Sequence, residues 1–145
     1  MNIDELKTTW AKDSIISEMD LSREALRTPQ LHSKYIDLLI DSKMKLATRK
    51  HDLARMQNLK SRYYRGELSK DELLQYELVQ WQYNKPLKSE MDSVLDADED
   101  CILIKGKIEY FDMMVYFLES IMKSIASRGW DIKAAIEFKK FQAGG

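Results

Sequence analysis

The chain opens on a broken helical pattern: Ile3, Leu6 and Trp10, then Ile15, Ile16, Leu21 and Leu26, with no second heptad to sustain it. That spacing predicts one or two short helices that must dock on something larger, because isolated short helices are marginal in water. Thr28-Pro29 then supplies a start signal. The threonine can cap free amides while the proline takes the first helical position, where its missing N–H costs nothing. No breaker follows until Gly66, so the pattern predicts a helix of about 36 residues, roughly 54 Å long, more than a monomer of this size covers.

Gly66 ends or bends that helix, and Ser69 with Glu72 forms a capping-box pattern ahead of Leu73, Leu74, Tyr76 and Leu78. A further helix is expected from 70 to 84, stopped before Pro86. Residues 86 to 100 turn acidic and read as a linker or short helix. A second long helix is expected over 99 to 127, its acidic start and its Lys123 and Arg128 at the end suiting the macrodipole, with Gly129 as terminator. Along it Ile108, Phe111, Val115, Leu118, Met122 and Ile125 form a heptad seam, and Tyr110, Met114, Phe117 and Ile121 form a second row beside it. So wide an apolar face predicts two neighbours, one in the same subunit and one in another. Asp131 is expected to cap a final helix bearing Ile132, Ala135, Ile136, Phe138 and Phe141, whose apolar side would also self-associate. The expected oligomerisation set is therefore Ile108, Phe111, Val115, Leu118, Met122, Ile125, Ile132, Ile136 and Phe141.

Composition supports an all-α fold: the 145 residues include only 5 Gly and 2 Pro, and strong helix formers dominate. Lys plus Arg number 23 against 24 Asp plus Glu, so any affinity for a polyanion must come from segregated charge. Cys101 stands alone, which excludes an intrachain disulfide and a cysteine-based zinc site and fits a reducing compartment. The start MNIDELKTTW lacks a signal-peptide pattern, and no apolar run approaches spanning length, so a soluble intracellular protein is expected.

Charge is most segregated between Lys43 and Arg65, where Lys43, Lys45, Arg49, Lys50, Arg55, Lys60, Arg62 and Arg65 face only Asp52. At 100° per residue, Lys43, Lys50, Arg55, Arg62 and Arg65 share one side, and Leu46, Leu53, Met56, Leu59 and Tyr63 take the other. Tyr63 and Tyr64 follow Arg62 directly. Cations that neutralise a backbone, beside rings that stack on bases regardless of sequence, are what single-stranded nucleic acid requires. Lys60 falls on the apolar side and must snorkel, or the helix must distort, before it meets a phosphate. The competing reading is a coiled-coil scaffold that binds only protein, with these cations solvating its surface.

Other candidates carry less. The run DADED at 96 to 100 lacks a glycine at the sixth position of a calcium loop and has Lys107 at the twelfth, so capping and acidic surface explain it. His32 and His51 have no ligand or nucleophile partners, and no phosphate-binding glycine loop is present. No enzymatic constellation and no cofactor are expected. Trp10, Trp81 and Trp130 read as packing anchors before base-stacking platforms.

LKSRYY at 59 to 64, KSEM at 88 to 91, VLDADED at 94 to 100, SRGWDIK at 127 to 133 and the ending FQAGG resemble, in that order, the T4-type phage recombination mediator family, UvsY. The resemblance implies a non-enzymatic protein that assembles into a ring, a hexamer or heptamer, and binds single-stranded DNA. It also implies loading of a RecA-like recombinase onto DNA coated by a single-stranded DNA-binding protein, in the cytoplasm of a bacterial host. Family DNA-binding positions fall on Lys60 and Arg62, and self-assembly on the C-terminal helices. With the charge pattern, the candidate DNA-binding residues are Lys43, Lys50, Arg55, Lys60, Arg62, Tyr63, Tyr64 and Arg65. The expected division is an N-terminal helical segment at 1–28 contacting recombinase or single-strand binding protein, a DNA-binding region at 29–95, and a self-association region at 96–145. The acidic 90 to 100 segment is expected to stay available to repel DNA or meet a basic partner.

Overall fold

In the computed structural model, which describes residues 1–144, five α-helices and one 3-10 turn succeed one another, with no strand among the described residues. They are α1 (Ile3–Asp13), the turn at Glu18–Asp20, α2 (Leu21–Tyr64), α3 (Lys70–Gln75), α4 (Met91–Asp96) and α5 (Glu99–Gln142). Gly145, last residue of the FQAGG ending, lies outside the described residues. Two compact units result. One comprises Met1–Met44 and the chain from Asp112 onward, the other Lys45–Phe111.

The first unit is built on three apolar stripes. Leu6 of α1, Leu31, Tyr35 and Leu39 of α2, and Met114, Leu118, Ile121 and Ile125 of α5 form one buried cluster, each stripe following helical spacing. Asn2 starts α1 with a capping box, accepting from the Glu5 amide at 2.8 Å and donating its own amide to the Glu5 carboxylate at 3.1 Å. At the other end of α1, Asp13 accepts from the Tyr35 hydroxyl (2.7 Å) and Lys34 Nζ (2.6 Å), and the Trp10 ring meets Tyr35 edge-on at 5.2 Å. Burial and the Asp13 carboxylate together push the Tyr35 phenol far above its ordinary pKa. The short opening helix thus docks as its pattern predicts.

Three predicted boundaries differ. Helix α2 does not start at Thr28-Pro29 but runs through it from Leu21. An internal proline leaves the carbonyl four residues back without its donor and costs about 3 kcal/mol. The turn ahead of the proline is clamped from far away in sequence: Arg128, only 3% exposed, donates to the Glu24 carbonyl, one residue before the Ala25 carbonyl that the proline deprives, to Thr28 Oγ1 at 2.7 Å and to the Glu24 carboxylate at 2.5 Å. Nor does Gly129 end the second long helix, or Asp131 cap a new one. Helix α5 continues to Gln142, because the buried Arg128 and Ile132 on either side outweigh the roughly 1 kcal/mol that a helical glycine costs. Finally, α3 stops at Gln75 rather than near 84. Glu77 adopts φ 55, the Leu78 amide bonds the Leu73 carbonyl at 2.8 Å and the Glu77 amide bonds Leu74 at 3.3 Å, a Schellman ending with a non-glycine residue at its left-handed position.

Candidate nucleic-acid interface

The second unit gathers the C-terminal part of α2, α3, the segment 76–90, α4 and the first turns of α5. Helix α2 ends at Gly66, φ +72, in the same Schellman geometry: Glu67 N–H to the Arg62 carbonyl at 2.9 Å, Gly66 N–H to the Tyr63 carbonyl at 3.0 Å. A Cβ on Gly66 would stand 3.3 Å from Lys85 Cε, so the glycine also permits the 76–90 segment to lie close over the helix end.

Just before this end, each side chain of the basic motif holds a different segment. Lys60 is 7% exposed and its ammonium lies 3.3 Å from Asp98 and 2.7 Å from Asp100. Arg62 pairs with Glu72 at 2.8 Å, the residue that also completes the α3 capping box with Ser69. The Tyr63 hydroxyl donates to the Val79 carbonyl at 2.6 Å, and the Tyr64 hydroxyl to Asp98 at 2.7 Å. Asp98 is the centre of this arrangement. It caps α5 by accepting from the Cys101 amide at 3.0 Å while taking up Tyr64 and Lys60. Burial raises its carboxyl pKa, but Tyr64, the Cys101 amide and Lys60 outweigh burial and hold it below the usual carboxylate range. For Lys60, burial opposes the charge and the two aspartates restore it, leaving the ammonium above its ordinary value. Burial, then Asp98, pushes the Cys101 thiol up to about 11, so it stays protonated at neutral pH.

The remaining candidates lie elsewhere. Lys50 and Arg55 are exposed on α2, Arg55 with a loose contact to Asp52 at 3.6 Å, and Arg65 reaches Glu67 at 3.1 Å. Lys43 belongs to the first unit and sits 3.5 Å from Glu119, both half exposed. The structure therefore gives Lys60, Arg62, Tyr63 and Tyr64 each a partner within the second unit, Lys60 buried and the other three half-buried, and leaves Lys50 and Arg55 in solvent. Among the acids of the 90 to 100 segment Asp98 alone is buried, Asp100 pairs with Lys60 and Asp96 with Lys105 at 2.7 Å, while Glu90, Asp92 and Glu99 are exposed. Lys60, which has no acid nearby on its own helix, finds two of them across the unit.

Of the expected oligomerisation set, Leu118, Ile125 and Ile132 are buried within their own subunit. Ile108, Phe111, Val115, Met122 and Ile136 are half-buried, and Phe141 is 78% exposed. Large apolar side chains that α5 leaves in solvent include Met113, Tyr116 and Phe138.

Sequence reasoning did not place two features. Trp81 and Tyr83, expected on a helix, lie in the irregular segment after α3, with the Trp81 ring 4.8 Å from Tyr64, 5.9 Å from Tyr63 and 4.9 Å from Tyr83. Glu77 has no sequence signal, because nothing but tertiary context places a glutamate in the left-handed region.

No helix among the described residues is long and apolar enough to cross a membrane. The model of the family described as "Recombination, repair and ssDNA binding protein UvsY" matches residues 9–145. The recombination protein uvsY of Enterobacteria phage T4 is 28% identical over 146 residues, covering 99% of both chains. Two crystal structures of the bacteriophage T4 recombination mediator protein UvsY superpose with TM-scores of 0.83 and 0.80. Their identities are 26% and 25%, over 99% and 95% of this chain and 98% of each of those. With the family's model spanning all but the first eight residues and the same all-helical architecture along the whole chain, this protein belongs to the UvsY family of recombination, repair and single-stranded-DNA-binding proteins.

Proposed function

We propose that the protein is a non-enzymatic recombination mediator. It binds single-stranded DNA and helps a RecA-like recombinase nucleate on DNA covered by a single-stranded DNA-binding protein, during phage recombination in the bacterial cytoplasm. The observation that carries this reading is the match to a single-stranded-DNA-binding family across residues 9–145. The exposed cations Lys50 and Arg55 on α2 and Arg65 beyond it supply phosphate contacts. Lys60, Arg62, Tyr63 and Tyr64 serve binding by tying the DNA-facing segments together, since each already has a partner inside the second unit. Subunits assemble into a homo-oligomeric ring, hexameric or heptameric, through what α5 leaves uncovered: Phe141, Phe138, Met113 and Tyr116 with the half-buried flanks Val115 and Met122. Many weak sites on one ring raise the effective concentration, so each subunit needs little affinity of its own.

The internal pairing of Lys60 and Arg62 is also what a protein-only scaffold would show. Binding of a fluorescent oligothymidine, in competition with duplex of equal length and at several salt concentrations, separates the two. A mediator prefers the single strand and weakens steeply with salt. The assembled wild-type protein failing to bind at low salt would leave the scaffold.

A further inference from the structure

The twelve residues 78 to 89, LVQWQYNKPLKS, contain two lysines and no acid. Their conformation is tied down at several points. The Val79 carbonyl accepts from Tyr63, Trp81 Nε1 donates to the Asn84 carbonyl at 3.2 Å, and Lys85 lies against Gly66. Around Trp81 the rings of Tyr63 and Tyr64 stand edge-on at 65° and 89°, and the indole is half-buried. Tyr83 is tilted 59° to the same indole, 4.9 Å between centroids, and is 75% exposed. An aromatic ring so exposed, on a segment this restrained, contributes nothing to a core. Its face is held ready for a flat partner at little ordering cost.

We propose that Tyr83, backed by Trp81, is a base-stacking platform for single-stranded DNA, with Lys85 and Lys88 meeting the adjoining phosphates. The inference rests on the single-strand-binding reading above and adds to it residues that the basic motif does not contain. Stacking needs an accessible π-face beside cations and no competing carboxylates, which is the composition of this segment. Exposed Val79 and Leu87 on the same segment would suit a protein partner. The one-signed charge and the restrained aromatic pair favour a strand of nucleotides instead. The basic motif then acquires a physical role: Tyr63 and Tyr64 are the inner rings that fix the platform's angle.

The test measures anisotropy of labelled oligothymidine and of an equal-length oligomer of abasic tetrahydrofuran residues. The proteins are the assembled wild type, Tyr83→Ala and Tyr83→Phe, at one low salt concentration. Stacking predicts that the wild type prefers bases over abasic sites by on the order of tenfold, that Tyr83→Ala loses most of this preference without weakening on the abasic strand, and that Tyr83→Phe keeps it. Equal binding of oligothymidine by Tyr83→Ala and wild type overturns the proposal and gives the patch to a protein partner. So does parallel weakening on both oligomers, or a wild type indifferent to bases. A wild type that binds neither oligomer refutes the single-strand reading itself, a result distinct from these. Because Tyr83 is mostly in solvent and touches the fold through the Trp81 ring, its removal lowers the thermal midpoint by a few degrees at most.

Discussion

The Lys60–Asp98 pair allows the strongest check on how the basic motif works. Lys60→Met keeps most of the stem's volume but leaves the Asp98 carboxylate, 5% exposed, without its cation. Breaking a buried pair from one side costs about 3 to 5 kcal/mol. Asp98 retains the Tyr64 hydroxyl and the Cys101 amide, so the expected loss is at the lower end, about 3 kcal/mol. Asp98→Asn preserves the cap oxygen for Cys101 and leaves Lys60 with Asp100, whose side chain is 50% exposed and compensates by less than about 1 kcal/mol. That single change should cost about 2 kcal/mol. The double variant buries neither charge. It should be no less stable than Lys60→Met alone, a coupling energy of about 2 kcal/mol. Urea unfolding followed by far-UV circular dichroism, with all four proteins at one protomer concentration, measures the cycle. Additive losses, with coupling below about 0.5 kcal/mol, would refute the account. Oligothymidine binding adds a second reading. If Lys60 acts as an internal tie, DNA affinity tracks stability across the cycle and Asp98→Asn weakens binding as well, whereas a Lys60 that touches phosphate leaves only the Lys60 variants defective.

Two further outcomes follow from the same geometry. Because the folded Asp98 carboxyl titrates below its unfolded value of about 3.9, its contribution is complete above that pH and is lost as pH falls through the folded value. The gap in thermal midpoint between wild type and Asp98→Asn should therefore be constant from about pH 5 to 8 and narrow as pH falls below about 4; a gap that does not narrow at all there would mean that ionisation is not its source. Glu77→Gly should stabilise the protein by about 0.5 to 1 kcal/mol by relieving the left-handed backbone; a urea midpoint no higher than that of Glu77→Ala would show that the turn is unstrained.

Local signals accounted for most elements. Ser69 with Glu72, Gly66, and the acidic residues preceding α5 act through bonds to neighbours three or four positions away. Such bonds are written into any sequence that contains them. The all-α class and the apolar stripe of α5 were legible for the same reason: helical periodicity is a short-range property. Three matters depended on residues far apart. What clamps the helical turn ahead of Pro29 is Arg128, 100 positions beyond Thr28. Which half of the wide α5 face packs in the subunit's own core depended on where α1 and α2 set Leu6, Leu31, Tyr35 and Leu39. Whether Lys60 meets solvent or carboxylates was set by Asp98 and Asp100, which the return of the chain carries back to α2. Charge pattern along one helix states which cations lack local partners, and only the tertiary arrangement supplies the distant acids that neutralise them, because electrostatic energy depends on separation in space and on burial, not on separation along the chain.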